Sequence, residues 1–238
     1  MTKRGPGDGA TTAEPVSWRE QAVARSLDSA RTRAENRIQR FLDAALELMR
    51  DSDSKEFTVQ EVVERSGQSL RSFYQYFGGK HELLLALFEE SVRTTADHLR
   101  ARIAEEPDPL ERLHRFVVEY YRLCRPATTG KTSKRMTGPT QVLVEFAQKL
   151  LTAHPDDAAR AYVPLKTLLG ELLDETIEAG VVRADLRRTS VAGTMLEVIS
   201  FNAFSSIIAG ELGQRDRAEA AEELWDLLFK GLADGAAA

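Results

Sequence analysis

The chain has 238 residues, 42% hydrophobic and 29% charged, enough for a real core and a single chain of one or two domains. Its one cysteine, Cys124, excludes an internal disulfide framework and a cysteine-rich zinc site, and suits a reducing cytosol; a cytoplasmic location is expected. The net charge of −5 argues against a uniformly basic nucleic-acid coat, but its distribution is uneven: through Lys80 there are 13 Lys and Arg against 12 Asp and Glu, and afterwards 19 against 25. No apolar run is long enough for a membrane span, and the first residues lack the apolar centre of a signal peptide.

Met1 to about Pro15 is rich in Gly, Thr and Pro and reads as disordered. Val16 to Ala30 has the makings of a short extra helix with Trp18, Ala22 and Leu27 on one side. Arg19, Arg25, Arg31, Arg33, Arg37 and Arg40 make residues 1–33 and the following turn a candidate basic arm for DNA phosphates; a tail that merely docks on the domain is the plainer alternative. From Ala34 to Asp51, Ile38, Phe41, Leu42, Ala45, Leu46 and Met49 recur at helical spacing, so a core-forming helix is expected, with Phe57 anchoring the loop after it.

The stretch Thr58 to Leu84 is the most informative. Thr58 with Glu61 three residues on is a capping box, and Val59, Val62 and Val63 give the helix an apolar side. Gly67 can take the left-handed turn, and Ser69 can cap a second short helix carrying Leu70, Phe73 and Phe77, or Phe73, Tyr76 and Phe77, on one side. Gly78-Gly79 stops it. Helix, glycine turn and short helix is a helix-turn-helix, whose second helix enters a major groove. Phe73 and Phe77 are expected in the core. Arg71 suits guanine, which its guanidinium meets with two hydrogen bonds, although a lone exposed arginine is ordinarily just solvated. The helix starts at Thr58 and Ser69 are natural phosphate sites after their capping role.

The run Ser69-x-x-x-Phe73-Tyr74-x-Tyr76-Phe77-x-Gly79-Lys80-x-x-Leu83 resembles the signature of the TetR family of transcriptional regulators. The specific match covers roughly Glu35 to Thr95. The resemblance implies an N-terminal three-helix DNA-binding domain (35–95) joined by a long helix to an effector-binding, dimer-forming domain (96–238), all-α, with about nine helices in total. It also implies backbone contacts from Tyr74 and Tyr76, a groove contact from Gln60, a phosphate clamp at Lys80, and variable reading positions at Leu70, Arg71 and Ser72. Gln68 departs from the pattern, standing where a small apolar residue is usual.

Downstream, a long helix from Lys80 to about Ala104 is expected, then an amphipathic helix with Leu110, Leu113, Phe116, Val117, Tyr120, Tyr121 and Cys124. Residues 127–140 read as a polar loop near an effector entrance; Gly130-Lys131-Thr132 lacks the rest of a phosphate-binding loop. A short helix to Ala153 follows. His154 has no histidines or carboxylates at ligand spacing in the chain, so no metal is expected, and no cofactor. Ala158 to Ala179 reads as one helix with Pro164 placed to kink it and Gly180 closing it. Thr189 or Ser190 should cap a helix from about Val191 to Ala209 that is apolar nearly all round, and a last helix runs from about Arg215 to Leu232. These two suit a homodimer face built as a four-helix bundle, or burial wholly within one subunit.

The expectation is a repressor that binds a palindromic double-stranded operator as a homodimer and is released by a lipophilic effector. Candidate pocket residues are Phe116, Tyr120, Tyr121, Phe146, Leu169, Leu173, Met195, Ile199, Phe201 and Asn202, each of which is equally well read as plain core. Rivals are a sequence-indifferent nucleoid protein, which wants a more basic surface, and a helical small-molecule binder without DNA function. An enzyme is not expected: Cys124 and His114 share a helix without a third group to orient them.

Overall fold

The computed structural model describes residues 17–51, 57–124, 139–208 and 217–232. Among them are ten helices and no strand. The N-terminal tail and the Gly130 loop lie outside the described residues.

The first helix, α1, runs unbroken from Trp18 to Asp51, so the two helices expected on either side of residue 31 are one. Nothing in Ser29 to Asn36 breaks a helix: Ala, Arg and Glu dominate, and Arg31 pairs with Glu35 one turn on at 3.2 Å. Its start is a capping box not recognised in the sequence. Ser17 Oγ accepts from the Glu20 amide at 3.3 Å, and the Ser17 amide donates to Glu20 Oε2 at 2.9 Å. The first half of α1 stands clear of the core, with Trp18 and Leu27 exposed; burial begins at Phe41.

Next come α2 (Val59–Ser66) and α3 (Leu70–Tyr76), with α4 (Lys80–Ile103) leading away from them. The Thr58 hydroxyl accepts from the Glu61 amide at 3.2 Å while Glu61 Oε2 takes the Thr58 amide at 2.7 Å. Gly67 closes α2 with φ +64°, a region costly for any side chain, and the Ser69 hydroxyl caps α3 by accepting from the Ser72 amide at 3.1 Å. Phe41 meets Phe73 edge-on at 5.4 Å and Phe77 at 6.1 Å, and Val62, Leu83 and Leu87 complete this small core. At ~1.5 Å per residue, the 24-residue α4 spans about 36 Å and belongs to both ends of the molecule.

The larger body contains α5 (Pro109–Cys124), α6 (Pro139–Ala153), α7 (Pro155–Ala161), α8 (Val163–Glu178), α9 (Arg188–Ile208) and α10 (Arg217–Leu232). Leu99, Leu113, Phe116, Leu165, Leu169 and Ile199 centre its core. The single helix expected through Pro164 is two. Tyr162 sits near φ −82° and ψ −2°, its amide already turned back to Ala158 and Arg160, and Pro164 falls in the first turn of α8, where its missing N–H costs nothing. This break is what raises the count from nine to ten. The helix expected from a Thr189 or Ser190 cap instead begins at Arg188. His114 Nε2 holds Glu222 at 2.7 Å and packs on Trp225, which docks α10 on α5. From α6, Val142 and Leu143 lean on the head core, so α4 and α6 both tie head to body.

Candidate nucleic-acid interface and effector cavities

The outer side of α3 is a polar surface on an aromatic base. Phe73 is fully buried and Phe77 nearly so, which leaves Leu70, Arg71, Tyr74 and Gln75 exposed on the far side of the same short helix. Tyr74 is 57% exposed, and its ring stands edge-on to Phe73 at 5.4 Å, so the hydroxyl is carried outward on a fixed support. Gln60 is exposed on α2, where Glu64 Oε1 accepts from its side-chain amide at 3.0 Å. The first turns capped by Thr58 and Ser69 open to the same solvent.

Three candidate contacts are placed differently from expectation. Lys80 is half-buried; its Nζ donates to the Phe57 carbonyl at 2.5 Å and lies 4.4 Å from the Phe57 ring centre. It fastens the loop before α2 rather than reaching outward as a phosphate clamp. The Ser72 hydroxyl is buried, since its position on α3 lies next to the Phe73 side. Tyr76 is half-buried against the head core. Gln68, the departure in the turn, donates its backbone amide to the Val63 carbonyl at 3.3 Å, while its half-buried side chain leaves Nε2 without a hydrogen-bond partner. Arg19, Arg25, Arg31, Arg33, Arg37 and Arg40 are all exposed along α1.

In the body, Phe116, Tyr121, Leu169, Leu173, Met195 and Ile199 are packed core, and Phe146 joins them. Of the expected pocket residues, Tyr120 lines a cavity formed by the described residues. That cavity, of about 290 Å³, lies among α4, α5, α6 and α8, walled by Phe88, Ser91, Val92, Thr95, Leu123, Leu143 and Leu165. A second, of about 180 Å³, lies among α6, α7, α8 and α9 near Lys166, Gly193 and Glu197. Tyr162 faces both. The helix break puts it there, which is why a reading that ran one helix through Pro164 missed it.

A small polar cluster stands between the two spaces. Tyr120, Tyr162, Cys124 and Ser200 are electrostatically coupled neighbours, and the Ser200 hydroxyl donates to the Leu196 carbonyl at 2.7 Å. Burial pushes the Cys124 thiol up to about 12 and both phenols well above their ordinary value, so the cluster is neutral. It offers hydrogen bonds in an apolar setting and no charge. His114, by contrast, is engaged with Glu222 about 15 Å along α5 from Cys124, and the two do not form a catalytic pair.

Phe201 and Asn202 are exposed on the outside of the body. Phe201 is 65% exposed, and Thr194, Val198, Phe201 and Ser205 follow one another at helical spacing along the outside of α9. Leu227 is 68% exposed on α10. No helix among the described residues is long and apolar enough to cross a membrane.

Residues 41–87 match the family described as bacterial regulatory proteins, tetR family. A helix-turn-helix-type transcriptional regulator of Mycobacterium tuberculosis H37Rv is 29% identical over 135 residues, spanning 52% of this chain and 67% of that protein. Among solved structures, Thermus thermophilus FadR, a TetR-family repressor in complex with lauroyl-CoA, superposes with a TM-score of 0.63 at 24% identity, covering 83% of this chain and 95% of that one. Bacillus subtilis FadR in complex with stearoyl-CoA gives a TM-score of 0.61 at 17% identity, covering 82% and 98%.

Proposed function

We infer that this chain, a member of the TetR family of transcriptional regulators, is a repressor that leaves its DNA site when a small lipophilic molecule occupies the helical body. The observation that carries this reading is the exposed row of Leu70, Arg71, Tyr74 and Gln75 over the Phe41–Phe73–Phe77 base, on a head joined to a cavity-bearing body by one helix. Arg71 is assigned to base edges; Tyr74, Gln60 and the first turns of α2 and α3 are assigned to the backbone and groove rim.

The DNA-bound form is a homodimer. A lone α3 reads too few bases, whereas two on a twofold axis read half-sites one helical turn or a multiple apart. The exposed Val198 and Phe201 of α9 and the exposed Leu227 of α10 are the apolar side chains a second copy would cover.

For the effector, the 290 Å³ cavity lies at the lower end of the roughly 300–1,000 Å³ that small-molecule sites occupy, and its walls are mostly apolar. An acyl chain suits it, in line with the acyl-CoA complexes of the two FadR proteins. Ser91, Thr95 and the Tyr120 hydroxyl are the groups to orient such a chain. Because α4 forms one wall and also carries the head, filling the cavity and placing the head are mechanically connected. The protein acts in the cytoplasm and catalyses no reaction in this reading.

A gel-shift titration against DNA upstream of its own gene, with a random duplex of equal length alongside, tests the proposal. Saturable, sequence-selective binding that weakens on adding long-chain acyl-CoA is the expected result. Equal affinity for both duplexes would overturn it in favour of a sequence-indifferent binder.

A further inference from the structure

Between head and body lies a group of side chains that neither the DNA surface nor the cavities use. His81 is the second residue of α4, just beyond the reading helix. His154 precedes α7, and Asp157 is in its first turn. Asp157 lies three residues after His154, and the fold brings the distant His81 to them: one donor atom from each lies within 4.8 Å of the others. His81 Nε2 stands 3.7 Å from Asp157 Oδ2, and the two imidazole rings have centres 4.5 Å apart.

Hydrogen bonding does not account for this arrangement, and the His81–Asp157 approach is an ion pair only with a protonated imidazole. At 3.7 Å the His81–Asp157 approach is too long for a hydrogen bond, and His81 Nε2 is buried without a hydrogen-bond partner. Two imidazoles this close repel as cations, whereas neutral rings can each offer a nitrogen lone pair to a shared cation. Arg160 holds Asp157 Oδ1 at 2.6 Å, which orients the carboxylate and leaves Oδ2 on the His81 side. Phe146 supports the His81 ring at 5.4 Å.

We propose that His81, His154 and Asp157 form a site for a divalent transition metal of the zinc class, bridging the first turn of α4 to the junction of α6 and α7. Zinc bonds of about 2.0–2.1 Å place tetrahedral ligands roughly 3.4 Å apart. The present separations close to that by side-chain rotation of about 1 Å, because His154 is exposed and free to turn. Two nitrogens and one oxygen favour zinc, nickel or copper over magnesium and calcium, which take all-oxygen shells. Three protein ligands leave a fourth position for water. Since one ligand moves with the helix that carries the head and two belong to the body, a bound ion opposes their relative movement. Operator and metal affinities are then linked, a consequence that rests on the DNA-binding reading; the site itself does not.

Full-length protein stripped with a chelator is titrated with zinc chloride by calorimetry, with magnesium chloride as the control. One zinc per chain is expected, with affinity falling at least about 10-fold in His154→Ala and again in Asp157→Asn, both surface changes whose folding is checked by thermal melting. Absent zinc binding, or stoichiometry and affinity unchanged in both variants, overturns the site. Operator affinity measured with and without zinc reads the linkage separately: a shift in wild type that disappears in His154→Ala supports it, and no shift in zinc-loaded wild type overturns it.

Discussion

The head joins residues that are near neighbours in the chain. Phe41, Val62, Phe73 and Phe77 come from three consecutive helices, and the ends of α2 and α3 are closed by bonds within four or five residues: Thr58 with Glu61, Gly67 with Glu64, Ser69 with Ser72. The body joins residues far apart, such as His114 with Glu222 and the Arg183 amide with the Leu232 carbonyl, and it holds the cavities around Tyr162 and exposed apolar side chains on α9 and α10. The contrast separates two tasks. A surface that must meet DNA in one register is built from short-range constraints that leave it little freedom. In the function proposed above, the part that responds to a ligand keeps spare volume and a surface for a second copy to cover.

If this division is right, damage to the head should be local and steep. Phe73→Ala removes a fully buried ring shared by three aromatic contacts, so the head should lose about 3–5 kcal/mol and DNA binding should vanish. Circular dichroism melting would then show a separate early transition with the body still folded; a single unshifted transition would contradict it. On the body side, Phe201→Glu places a charge among the exposed side chains of α9. It should weaken self-association by about 2 kcal/mol or more, read by sedimentation velocity as a shift to monomer, with the melt of each subunit little changed.

Arg71→Ala leaves the fold alone because the side chain is exposed. It should reduce operator affinity by about 1–3 kcal/mol and relax preference at one base pair per half-site, measured by fluorescence anisotropy on a set of single-base operators. Gly67→Ala tests the turn by itself: no atom obstructs an added Cβ, so its effect of about 1–2 kcal/mol on urea unfolding would come wholly from φ +64°.

The smallest effect belongs to the buried neutral cluster. The Cys124 thiol in the folded protein is pushed up to about 12, above its ordinary value of 9.0, so the folded state holds its proton longer than the unfolded chain does. The associated stability is present below the lower value and is lost as pH rises from there towards the upper one, with Tyr120 and Tyr162 acting in the same direction. Urea midpoints taken between about pH 8 and about pH 11 should fall steadily, and Cys124 should resist thiol reagents at about pH 8 until denatured. A flat profile would mean that water reaches the cluster.

What could be read in advance divides along the same line. The motif from Thr58 to Leu83 was legible because capping, glycine turns and helical spacing act between residues a few positions apart, and the structure reproduces those bonds. The same local reading went astray where a side chain had two uses. Lys80 looked like a phosphate contact until Phe57 was seen to engage it, and Phe201 looked like a pocket residue because nothing in its own helix says which side the body covers. Pro164 signalled a disturbance, but only packing decided that the helix would restart there and turn Tyr162 to the cavities.

From its residues alone, then, this protein determined its helices, its reading motif and the uneven placement of its charge, because each depends on spacing along the chain. The tertiary structure decided where space remains in the body, which face of α9 stays bare, and that His81 meets His154 and Asp157 from more than 70 positions away. Those outcomes depend on how helices pack against one another, and a side chain's neighbours across a core are set by the shapes of all the helices together.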